Sequence, residues 1–66
     1  MARSPTALLI VRAWLESGSA QPLRATIRAA TDTSRGFDRE LTVAGVDDVR
    51  QAVDAWLADV LAAGSA

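Results

Sequence analysis

The chain has 66 residues, a formal net charge of −1 and a pI near 5.0, with half of its residues apolar and 23% charged. That composition belongs to a folded globular chain, and its acidic balance argues against a protein that draws its affinity from nucleic-acid phosphates or an anionic membrane surface. Cysteine and histidine are absent, which excludes disulfides, thiolate sites and imidazole chemistry.

The N-terminus imitates a secretory leader: Arg3, the apolar run Ala7 to Val11, then the small residues Gly18-Ser19-Ala20. The run is too short, and Arg12 and Glu16 interrupt it before any cleavage site. No stretch approaches the ~20 apolar residues that a membrane span needs. A cytoplasmic location, without membrane association, is expected.

Residues Thr6 to Glu16 (TALLIVRAWLE) have apolar side chains at every odd position from Ala7 to Leu15. Period-two alternation with Ile and Val predicts a strand. Ser17 to Pro22 is a connection rich in turn formers. Leu23 to Thr31 alternates again, with Leu23, Ala25, Ile27 and Ala29 on one side and Arg24, Thr26, Arg28 and Ala30 on the other. A second turn spans Asp32 to Gly36, with the glycine free to take a positive φ. Phe37 to Val43 is the third predicted strand; Leu41 and Val43 point inward, Glu40 and Thr42 outward, and Arg39 is placed at the rim, its stem along the core and its head in water.

From Val46 onward the period becomes helical. Val49, Val53, Trp56, Leu57, Val60 and Leu61 form one apolar stripe, with Trp56 in its centre as a core residue. Asp47 and Asp48 suit the helix start, where unpaired N–H groups and the dipole favour negative charge. Arg50 and Asp54 are spaced for an i,i+4 ion pair, Gly64 sits where a glycine cap belongs, and Ser65-Ala66 is expected to fray. With no repeat or linker, residues 1–66 read as a single α+β domain, ordered over about 6–63: a three-stranded antiparallel meander with one C-terminal helix packed on one face, βββα.

A meander also implies a register. Pairing Leu15 with Leu23 sets Val11 opposite Ile27 and Leu9 opposite Ala29; pairing Ile27 with Leu41 sets Ala25 opposite Val43 and Arg28 against Glu40. Both send the apolar residues to the side where the helical stripe can cover them. One helix covers one face, so Leu8, Ile10, Arg12 and Trp14, with Arg24, Thr26 and Arg28, are left on the other. Trp and Arg around an aliphatic patch is the composition of a protein-binding hot spot; the plainer alternative is that Arg12 and Arg24 stack on Trp14 and the aliphatics are ordinary surface. The outer strands are also edges open to pairing with another chain.

Size gives the same direction. A chain this short buries only about 60% of the surface it exposes when unfolded, and small domains commonly add a disulfide, a metal or a second subunit. The expectation is a non-catalytic protein-interaction or oligomerisation module, binding itself or a larger protein through the open sheet face or an edge strand. Two alternatives stand beside it: a nucleic-acid-binding module using the sheet-face arginines and Trp14, and a small regulatory subunit of a neighbouring enzyme. No catalytic residue, cofactor, metal or small-molecule ligand is inferred. The carboxylates Asp32, Asp38, Asp47, Asp48, Asp54 and Asp59 fall mostly in turns or on the helix's wet side, Thr33-Ser34-Arg35-Gly36 has hydroxyls without a base to activate them, and no phosphate-cradling glycine pattern occurs.

The run LLIVRAWLE, then PLRATIRAAT, then VDDVRQAVDAWLADVL resembles small bacterial proteins of unassigned function with a βββα layout. They open with a hydrophobic-VR-x-W strand, continue with an LR-x-x-I strand and close with an AV-x-x-WL helix. The resemblance implies the fold only, and carries no functional residue across.

Overall fold

The computed structural model describes residues 5–64. Arg3 of the leader-like start and the frayed end expected at Ser65-Ala66 lie outside them. Strand β1 (Leu8–Leu15), strand β2 (Leu23–Ala30) and strand β3 (Arg39–Ala44) form one antiparallel sheet in the order β1-β2-β3, and helix α1 (Val46–Gly64) closes the chain. The fold is the expected βββα arrangement. The register is also the expected one: Leu15 faces Leu23, Val11 faces Ile27, and Ile27 faces Leu41. A slip of one residue would turn β2's Ala25, Ile27 and Ala29 out of the core, which is why the alternation specifies the pairing so tightly.

The turns are built by local chemistry. Asp32 accepts hydrogen bonds from the Ser34 main-chain N–H (3.0 Å) and hydroxyl (2.7 Å), winding Thr33–Arg35 into a short 3-10 turn that Gly36 ends at φ 78°. The two hydrogen bonds from Ser34, the hydroxyl's foremost, hold the Asp32 carboxyl below its ordinary pKa. β3 begins at Arg39 rather than Phe37. The Asp38 N–H donates to the Ala29 carbonyl (3.1 Å) although Arg39 is Ala29's partner in the ladder, so the chain is irregular where the strand starts. At the other end Gly45, at φ 86°, turns the chain into α1; its N–H donates to Leu23 O, and its own carbonyl accepts the first helical bond from Val49.

The core is small and lies under β2. Among the described residues Ala25, Ile27 and Ala29 are the apolar residues buried on the helix side, Ala30 is buried on the opposite face across from Leu8, and Ile27, at 1% exposure, is the largest side chain wholly buried. Alanines on β2 let α1 come close, and the helix lies against β2 and β3. Two anchors hold it there. The Trp56 indole N–H donates to the Ala30 carbonyl (3.2 Å), and Asp59 meets Arg39 Nη2 at 3.3 Å. Arg39 thus takes its expected rim position, and its head group finds a carboxylate on the helix. Two helix expectations are corrected. Arg50 reaches back to Asp47 (3.9 Å) instead of forward to Asp54, and Gly64 is still helical rather than a left-handed cap.

The larger correction concerns coverage. A helix with its side chains is about 10 Å across, and strands stand about 4.8 Å apart. One helix therefore roofs two strands, and here those are β2 and β3. Val11 and Leu15, expected beneath the lid, remain 43% and 77% exposed on the helix side of β1. The apolar stripe of α1 is likewise only partly used: Val49, Val53, Trp56 and Val60 are half-buried, while Leu57 is exposed and Leu61 is 72% exposed.

Candidate protein-interaction surface

The face of the sheet away from α1 carries the residues expected on it. Leu8, Ile10, Arg12 and Trp14 of β1 stand across from Ala30, Arg28, Thr26 and Arg24 of β2. Leu8, Ile10 and Trp14 are all exposed. The Arg12 guanidinium lies 5.9 Å from the centre of the Trp14 ring, at the outer limit of a cation–π contact. The Trp14 indole N–H donates to Glu16 Oε1 at 3.4 Å, and Glu16 Oε2 lies 3.4 Å from Arg24 Nε. That approach suits charge pairing but is not aligned as a hydrogen bond, since Arg24 Nε has no hydrogen-bond partner; Arg24 Nη2 donates to Ser19 Oγ at 3.1 Å. Arg24 therefore pairs with Glu16 and does not stack on Trp14. Thr26 and Thr42 meet across β2 and β3 at 3.5 Å.

Arg28 forms the expected pair with Glu40, at 3.3 Å, and also lies 4.4 Å from the centre of the Phe37 ring. Phe37 is a component of this surface that alternation alone misses. Counted back from Leu41 and Val43, an odd-numbered residue belongs on the helix side. Gly36 and the irregular Asp38–Arg39 pairing break the parity, so the ring reaches Arg28 on the opposite side. A glycine immediately before an aromatic was the available signal that parity ends there.

The opposite side of β1 adds a second apolar zone. Val11 and Leu15 lie beside α1 rather than under it. Leu57 and Leu61 are each two residues from Asp59, about 160° around the helix from it. Asp59 turns toward Arg39 on β3, so these leucines flank the side of α1 nearer β1. The signal for this zone was present in the sequence as Ala25 and Ala29, small residues that mark where the helix approaches.

Among the described residues the edge of β1 is free as well. The Glu16 N–H donates to Pro22 O at 2.7 Å. In an antiparallel ladder alternate residues direct both main-chain groups to the same neighbour, so the even-numbered residues of β1 bond β2. Leu9, Val11, Ala13 and Leu15 offer their N–H and C=O outward. β1 is thus an eight-residue edge strand with exposed apolar side chains on both faces and one charge, Arg12, within it. The β3 edge is shorter and carries Arg39 and Glu40, the kind of charge that discourages strand addition.

Elsewhere the surface offers little chemistry. An open depression at the β3–α1 corner is lined by Gln21, Ala44, Gly45, Val46, Asp47 and Asp48, where two carboxylates oppose an anion at the helix start. Among the described residues no three acidic side chains converge as metal ligands, and no helix is long and apolar enough to cross a membrane. The chain matches no family model, no curated protein and no solved structure.

Proposed function

We propose that this chain is a non-catalytic protein-interaction module, and that β1 with the open sheet face is the surface it buries. The observation that carries the reading is a free edge strand with exposed Leu8, Ile10 and Trp14 on one side and exposed Val11 and Leu15 on the other. Light scattering of the wild type and of Trp14→Asp, together with capture from the native lysate, tests the reading. A wild type that is strictly monomeric and captures nothing defeats it.

A second reading has one observation in its favour. Trp14 and Phe37 both lie against arginines of the open face, as aromatics that stack bases do. Arg24 and Arg28 are already partnered by Glu16 and Glu40, which leaves Arg12 as that face's cation without a carboxylate partner among the described residues. Titration of labelled single-stranded DNA and RNA at low salt separates the readings: micromolar binding that falls steeply with salt and is lost in the Arg24→Ala/Arg28→Ala double variant supports nucleic acid.

A further inference from the structure

Building on the interaction reading above, we infer that the occupant of the β1 edge is a second copy of this chain, paired antiparallel through β1 with Val11 on the two-fold axis, so that two three-stranded sheets become one of six strands with both helices on the same face.

The hydrogen-bonding phase selects the class of register. A symmetric antiparallel pair sets residue i opposite j′ with i+j constant and even, because partners share a face. Centring on Val11 joins main-chain groups that already point outward: Val11 bonds Val11′, and Leu9 and Ala13′ bond each other, as do Ala13 and Leu9′. All of Leu8 to Trp14 then finds a partner. Centring on Arg12 gives equal overlap but stacks Arg12 against Arg12′, and like charges directly opposite are destabilising. Centring on Ile10 or Ala13 shortens the paired stretch at one end or the other.

Side chains agree with this choice. On the open face, the Val11-centred register sets Trp14 beside Leu8′ and Arg12 beside Ile10′, joining the two apolar patches into one. On the helix side, Val11 meets Val11′ and Leu15 meets Ala7′. The floor left bare by α1 in each copy becomes continuous between the two helices, with Leu57 and Leu61 along its walls. The guarded β3 edges are left at the outside, where Arg39 and Glu40 discourage further addition.

Absence of native cysteine makes the register directly measurable. In Val11→Cys the two Cα atoms would lie about 5.5 Å apart, inside the disulfide range. In Ala13→Cys, on the same edge and face, they would be about 13 Å apart along the strands. Mild oxidation of each variant, followed by non-reducing electrophoresis, is expected to give a covalent dimer of Val11→Cys and to leave Ala13→Cys monomeric. Val11→Pro removes an N–H that faces the edge and not β2, a position where proline is tolerated; light scattering should show its mass halved relative to the wild-type dimer, with far-UV dichroism unchanged. Efficient cross-linking of Ala13→Cys but not Val11→Cys overturns the register. A Val11→Pro chain that stays folded and dimeric overturns edge pairing itself; if Trp14→Asp then dissociates it, the open-face module survives. A monomeric wild type that captures another protein through Trp14 removes self-pairing while keeping the broader reading. If Val11→Pro does not fold, the two cysteine variants decide the matter alone.

Discussion

Truncating Ile27 to alanine removes the one large side chain that is wholly buried among the described residues. Its neighbours across the sheet are Val11 and Leu41, and the adjacent inward positions of β2 are Ala25 and Ala29, which are too small to move into the space. A buried Ile→Ala change costs about 2–5 kcal/mol, and the upper half of that range is expected where collapse is so limited. A chain of this size is held by only about 3–10 kcal/mol. With a urea slope of roughly 1 kcal/mol per molar, the midpoint should fall by about 4 M, leaving much of the variant unfolded without denaturant. Leu15→Ala is the control: at 77% exposure it should change stability by no more than about 0.5 kcal/mol when the protein is dilute enough to be monomeric. Urea titration followed by far-UV dichroism measures both. Equal costs for the two substitutions, or less than about 1 kcal/mol for Ile27→Ala, would refute the claim that the stabilising core lies under β2 and excludes β1.

Three further outcomes follow from the geometry. Gly45→Ala should cost about 1–3 kcal/mol, because an L side chain is strained at φ 86°; the added Cβ would also lie 2.6 Å from Gln21 Oε1, but that amide can swing aside, so adding Gln21→Ala should not restore stability in the same denaturation assay. Trp56→Phe keeps most of the ring and loses the bond to the Ala30 carbonyl, and thermal or urea unfolding should show a loss of about 1–2 kcal/mol. Asp32 has a folded-state pKa below its unfolded one, so its support for the 3-10 turn is complete above the ordinary carboxylate range and is lost as pH falls through the lowered value; the Ser34 amide resonance, followed by NMR during acid titration, should move with that step and cease to do so in Asp32→Asn.

Much of this molecule is legible in its sequence. Side-chain alternation in Leu8–Leu15 and Leu23–Ala30 and the positions of the two turns determine the pairing register, because a slip of one residue exposes every apolar group at once. The same alternation puts Trp14, Arg24 and Arg28 on the open face, and the 3.6-residue stripe places Trp56 toward the sheet. Local parity could not follow Phe37 through the irregular pairing at Asp38 and Arg39, nor foresee that Arg24 would turn to Glu16 and Arg50 to Asp47, since exposed ion pairs differ by tenths of a kcal/mol and are settled by side-chain reach.

The sideways position of the helix is set by packing and not by local pattern. Period and polarity say which stripe of α1 is greasy, not which two strands a 10 Å cylinder will roof. The alanines of β2, the Trp56–Ala30 hydrogen bond and the Arg39–Asp59 pair draw it over β2 and β3. That lateral choice leaves most of β1 exposed on both faces and open along its edge, because a single helix is narrower than the sheet it covers.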